Sequence, residues 1–275
     1  MNLEALKNTP PWDWPEGAGK VLLKVLRDDR AEESDRFLAA ELAGNGTVIN
    51  EELVAALLSI VSSGEEPEQL RAKAAISLGP VLEQADMDGF EDRDDFSISE
   101  DTFRGIQDSL RKVYMDTDVP KEVRRRILEA SVRAPQDWHQ DAIRAAYSSD
   151  DEKWKLTAVF SMRWIRGFDD LILEAVENAN PEIHYEAVCA VGTWKVDAAW
   201  SHVAALVRSK DTDKALLLAA IDAVSSIRPK EAGVILVDLT DGDDEDIVEA
   251  AYEAMAMAEG PSDDEYDDEH DITVR

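Results

Sequence analysis

Asn180-Pro181-Glu182-Ile183-His184-Tyr185-Glu186-Ala187-Val188-Cys189-Ala190-Val191-Gly192 is the stretch on which the fold turns. It reads as a turn followed by a helix, because counting from Ile183 the apolar and small residues recur at i, i+4, i+7 and i+8, which is one helical face. The pattern repeats along the chain. With Ile183 as anchor, equivalent anchors are Leu70, Val123, Trp154, Leu216 and Ile247, with a weaker one at Asp35. Four residues after each anchor stand Ala39, Ala74, Ile127, Ala158, Ala187, Ala220 and Ala251. Seven after stand Leu42, Ser77, Ala130, Ser161, Ala190, Ala223 and Ala254. Nearly all are small, so a neighbouring helix can approach closely. Larger residues at i+8 (Leu78, Met162, Val191, Val224, Met255) fill the space between helices.

Each of these helices follows another amphipathic segment: Glu51 to Ser62, Asp101 to Tyr114, Asp137 to Ser148, Asp169 to Asn178, Asp197 to Ser209 and Pro229 to Leu239. The unit is a helical hairpin. A period near 30 to 35 residues, with paired helices, predicts an all-α, right-handed α-solenoid of about seven hairpins over residues 16–258, each burying its apolar face against its neighbours. One spacing is longer and holds an acidic insertion at about 84–99.

Leu70-Arg71-Ala72-Lys73-Ala74-Ala75-Ile76-Ser77-Leu78-Gly79 and the 180–192 segment resemble HEAT repeats, specifically the short bacterial, phycocyanobilin-lyase-type HEAT-like repeats. The resemblance implies the alpha-alpha superhelix, and it implies a scaffold more readily than an enzyme. The arginine that follows the anchor in that family stands at Arg36, Arg71 and Arg124 but becomes Lys155, His184, Leu217 and Val248 later. An inter-repeat polar ladder built on it is therefore expected to stop in the C-terminal half.

Composition narrows the function. Sixty acidic against 29 basic side chains give a net charge of −31, which disfavours nucleic acid and anionic membranes as partners. The start, MNLEALKNTPPWDW, has neither the basic flank nor the apolar run of a signal peptide, so the expected location is the cytoplasm. A single cysteine, Cys189, makes no internal disulfide and reads as packing material. Pro10-Pro11-Trp12-Asp13-Trp14-Pro15 is expected to be non-helical, closing a cap segment (1–15) whose two tryptophans plug the first hairpin. Residues 259–275 are strongly acidic and expected to be disordered.

Candidate chemistry is sparse. The insertion offers Asp86, Asp88 and Asp92 around Gly89, but the spacing is not that of an EF-hand, since glycine comes fourth and Ser97 stands where the bidentate glutamate belongs. It reads as a solvated acidic loop, with Ser99 or Asp101 capping the next helix. The histidines His139, His184, His202 and His270 show no zinc spacing, and no His-Glu dipeptide of the kind that holds di-iron in deoxyhypusine-hydroxylase-like HEAT enzymes occurs. No metal and no cofactor is expected.

What stands out is regional. Between Arg111 and Arg166 lie 12 basic and 9 acidic residues, and here and in the next repeats lie most of the large aromatics. In such solenoids, positions two, six and ten after the anchor line the concave face. They place Arg125, Glu129 and Arg133, then Leu156, Phe160 and Trp164, then Tyr185, Cys189 and Thr193 together. Arginine and tryptophan are hot-spot residues. The expectation is a non-enzymatic adaptor, monomeric, that holds a protein or peptide on Arg125, Arg133, Phe160, Trp164 and Tyr185. Two alternatives stay open: tryptophans that are hairpin core with Arg125 merely paired to Glu129, and an enzyme-type role, bilin-lyase-like or DNA-glycosylase-like, implied by the resemblance.

Overall fold

The computed structural model describes residues 2–90 and 97–259 of the chain. The tail predicted to be disordered therefore lies outside the described residues from 260 onward. So do residues 91–96 of the insertion, Asp92 included. The described residues are all-α, with no strand among them. The chain divides into two compact units, 1–165 and 166–275.

The first unit holds α1 (Leu3–Lys7), α2 (Ala18–Leu26), α3 (Glu33–Ala43), α4 (Glu51–Ser62), α5 (Glu68–Ile76), α6 (Gly79–Asp88), α7 (Glu100–Met115), α8 (Lys121–Ser131), α9 (His139–Tyr147) and α10 (Glu152–Met162). Four helical hairpins result: α2/α3, α4/α5, α7/α8 and α9/α10. Their second helices pack in succession, α3 on α5, α5 on α8, α8 on α10, and the first helices do likewise, α2 on α4 and α4 on α7. The second unit has three hairpins, built from α11 (Asp169–Ala175), α12 (Pro181–Trp194), α13 (Trp200–Arg208), α14 (Lys214–Ile227), α15 (Pro229–Leu236) and α16 (Glu245–Glu259). There α12 packs on α14 and α14 on α16.

Helix starts are set locally. Asn50, Ser99, Asp151, Asn180 and Asp213 each turn a side-chain oxygen onto the free N–H groups of the helix they precede. The anchor-plus-four residues Ala39, Ala74, Ile127, Ala158, Ala187, Ala220 and Ala251 are all fully buried. Among the larger residues at anchor plus eight, Leu78, Met162, Val191 and Val224 are buried too, while Met255, in the last described hairpin, is only half-buried.

A glycine at anchor plus nine sets how closely second helices approach. A Cβ on Gly44 would sit 2.3 Å from the Ser77 carbonyl oxygen, and one on Gly192 would sit 3.0 Å from Ala223 Cα. Gly79 likewise faces Ala130 and the Arg133 side chain. Ser77, Ala130 and Ala223 are the anchor-plus-seven residues of the following hairpins, so glycine and small residue form a repeated backbone contact. Gly44→Ala is expected to cost about 2 to 3 kcal/mol, since a backbone carbonyl must move. Gly105→Ala, inside α7 and facing open space, should instead gain about 0.5 to 1 kcal/mol. Urea unfolding of the two variants checks both signs.

The arginine that follows the anchor acts differently from the expected ladder. Arg36 donates to Leu26 O (3.2 Å), Arg71 to Val61 O (3.0 Å) and Arg124 to Tyr114 O (2.8 Å), each ten residues back. In each case the guanidinium caps the C-terminal carbonyls of the first helix of its own hairpin, where a cation is favoured. Only Arg36 also crosses to the next hairpin, through a bidentate pair with Glu66 at 2.6 and 2.7 Å.

The ends and the insertion also differ from the expectation. Residues 84–88 are helical, being the last turn of α6, and not loop. α1 packs on α3 with Leu3 and Leu6 buried, and Pro11–Asp13 forms a turn of 3-10 helix. Trp14 Nε1 donates to Leu6 O and Thr9 O, whereas Trp12 is 79% exposed and plugs nothing.

Candidate functional site

Helix α8 begins Lys121-Glu122-Val123-Arg124-Arg125-Arg126, so three guanidiniums leave successive faces of one turn. Arg125 and Glu129, at i and i+4, were expected on an open face. They are instead buried, with side chains 8% and 9% exposed, because α10 packs over them. Arg125 donates to Glu129 (2.7 Å), to Thr157 Oγ1 of α10 (3.0 Å) and to both carboxylate oxygens of Glu122 (2.7 and 3.0 Å). Glu129 also accepts from Thr157 and from Arg126 Nη1. The Arg125 hydrogen bond holds the Glu122 carboxyl below its usual range. This is a closed ionic knot between two helices, and Arg125 is not displayed to a partner.

Arg133, two turns on, is displayed. Its side chain rests on Gly79, its Nη1 donates to Glu83, and its guanidinium lies over the rings of Trp164 (5.1 Å) and Phe160 (5.7 Å). The two rings, on successive turns at the end of α10, are 6.4 Å apart. All three side chains are half-buried. Two donors here find no acceptor: Arg133 Nε and Trp164 Nε1. Both of these atoms are buried, so what the first unit shows outward is a small stacked Arg-Phe-Trp surface. Tyr185, the fifth predicted residue, is half-buried on α12 of the second unit.

The tryptophans divide between the two readings the sequence left open. Trp138 is core, 4.8 Å from the Tyr114 ring and 4.0 Å from the His139 ring. Trp164, Trp194 and Trp200 are half-buried, and each carries an arginine over its face: Arg133, Arg166 and Arg228 respectively. Such stacking covers apolar surface while keeping charge in water.

The metal candidates do not converge. Asp86 and Asp88 are two apart on α6, so their carboxylates leave different sides of the helix. Desolvation raises the Asp86 carboxyl above its usual range, and Gln84 donates to Asp88. No group of three or more His, Cys, Asp or Glu side chains placed to hold a metal occurs among the described residues. Sequence spacing did miss one contact: His184 Nε2 lies 2.8 Å from His202 Nε2, and His202 Nδ1 lies 3.2 Å from Glu177. These residues are 18 and 25 positions apart, beyond the reach of any helical motif. Burial, then the His202 neighbour, holds His184 below the usual histidine range. No helix among the described residues is long and apolar enough to cross a membrane.

No protein-family model matches the chain, and no curated protein matches it closely enough in sequence to count as a relative. Solved structures do resemble it. Human deoxyhypusine hydroxylase is 15% identical over 94% of this chain and 88% of that one, with a TM-score of 0.40. YibA of E. coli is 13% identical over 93% and 97%, at 0.44. The phycocyanin lyase complex of CpcE and CpcF from a Nostoc species is 15% identical over 91% and 98%, at 0.43.

Proposed function

We propose that this chain is a non-enzymatic helical-repeat adaptor that binds a protein or peptide through Arg133, Phe160 and Trp164 of its first unit. The observation that carries the reading is the half-buried cluster in which the Arg133 guanidinium lies over the Trp164 and Phe160 rings at the surface of the first unit. Arginine and tryptophan are also the residues that most often dominate interface energetics. In this reading the chain is a cytoplasmic monomer in its free state. The net charge of −31 keeps nucleic acid and anionic membranes away and repels acidic competitors.

The test is affinity capture from lysate of the source organism, comparing the intact chain with an Arg133→Glu, Trp164→Ala variant whose helicity is checked by circular dichroism. The expected result is a protein retained by the intact chain, lost with the variant, and bound directly when purified. Identical captures with both chains would overturn the assignment.

A further inference from the structure

Helix α16 carries a groove on its outer side, 530 Å³ in volume, lined by Gly242, Glu245, Val248, Glu249, Tyr252 and Glu253. Its floor is apolar: Val248 is half-buried and the Tyr252 side chain is 56% exposed. Its wall is three carboxylates. Glu245, Glu249 and Glu253 follow one another at i, i+4 and i+8, so like charges stack along one face of the helix, an unfavourable arrangement that a cation would relieve. The nearby Lys214 does not relieve them, since its ammonium is bonded to Asp244 (2.7 Å) and Asp246. On this last described helix an exposed aromatic sits between acids.

We propose that this groove binds a basic amphipathic helix of a partner protein. Two apolar side chains one turn apart would rest on Val248 and Tyr252, and lysines or arginines would meet Glu245, Glu249 and Glu253. Charge decides between occupants. The chain's own 260–275 sequence carries seven carboxylates against one arginine, the wrong sign of charge for an acidic groove. A second copy brings another −31. A cationic segment gains from all of these charges and from burying the tyrosine ring. The surface stands apart from the Arg133 cluster in both residues and sign of charge, and does not depend on it.

The experiment is fluorescence anisotropy of a labelled amphipathic Lys/Leu peptide titrated with the full chain at low and physiological salt. A peptide with every Lys replaced by Glu serves as control. The expected result is saturable binding that weakens with salt and is absent for the Glu peptide. Tyr252→Ala and Glu249→Lys should each weaken binding about tenfold, as loss of an interface anchor does. Asp108→Lys, an equal charge change at an exposed position of α7, should leave it within about twofold, because Asp108 is not among the residues lining the groove. The Arg133→Glu, Trp164→Ala variant should bind the peptide as the intact chain does, which separates this proposal from the first. Equal affinity in the Tyr252→Ala and Glu249→Lys variants, equal weakening by Asp108→Lys, or binding of the Glu peptide would each overturn it.

Discussion

Arg125→Met is expected to lower the stability of the chain by about 3 kcal/mol, the largest effect of any substitution proposed, although Arg125 reads in the sequence as an exposed binding residue. The substitution keeps most of the side-chain volume, so the loss is electrostatic. It removes the guanidinium that joins Glu122, Glu129 and Thr157 and leaves Glu129, 9% exposed, with Arg126 and Thr157 alone. Breaking a buried pair from one side costs more than replacing both partners, because the remaining charge stays desolvated. The double variant Arg125→Met, Glu129→Met should therefore recover most of the loss, a non-additivity that a double-mutant cycle on urea unfolding measures directly. A single-variant loss below about 1 kcal/mol, the range of an exposed ion pair, would show that the knot is open to solvent.

The second large effect is a pH dependence at His139. This imidazole is fully buried, and burial first of all pushes its pKa from 6.5 down to about 4, with Asp137 and Arg111 acting in opposite senses as smaller contributions. The hydrogen bonds agree. Nδ1 accepts from the Gln136 N–H at 2.9 Å, so the ring proton sits on Nε2 and is donated to Ser131 Oγ, 3.0 Å away. Ser131 in turn donates to Leu128 O. A second proton on Nδ1 would face an N–H donor and would have to be carried beneath the Trp138 ring.

The unfolded chain protonates near 6.5 and the folded chain only near 4. As pH falls through that window the unfolded state takes up the proton first and stability drops, by about 3 kcal/mol at the bottom of the window. Sixty carboxylates titrate over part of the same range, and relieving their repulsion acts in the opposite sense. The measurement that isolates His139 is the stability difference between the intact chain and His139→Gln, followed by urea unfolding at pH 7, 5.5 and 4.5. The intact chain should lead at pH 7 and lose that lead progressively as pH falls. A lead that stays constant across this range would mean that the imidazole is solvated.

The hairpins were legible because the information is local and periodic. Glu51 to Ser62 is a helix with those same ends, and Asp197 to Ser209 appears as a 3-10 turn, Asp197–Ala199, running into α13. Alanine at six of the seven anchor-plus-four positions, with Ile127 at the other, says that something packs there whatever that something is, and all seven are buried. The insertion was harder, because an acidic composition does not distinguish a solvated loop from the polar end of a helix. Residues 84–88 belong to the second.

For the candidate site, the sequence determined which residues share a helix face and what chemistry they carry. It placed Arg125, Glu129 and Arg133 on one row, and Phe160 and Trp164 on another. Only the tertiary structure decided that α10 and Thr157 close over Arg125 and leave Arg133 at the surface against Gly79, Phe160 and Trp164. Likewise it alone decided that Trp138 is core while Trp164, Trp194 and Trp200 lie half-exposed beneath arginines. The physical reason is one of range. Helical periodicity fixes the direction of a side chain relative to its own helix axis, whereas burial depends on which neighbouring helix arrives there. The Glu129–Thr157, Arg133–Glu83 and His184–His202 contacts join residues 28, 50 and 18 positions apart, set by packing distances that no local pattern encodes.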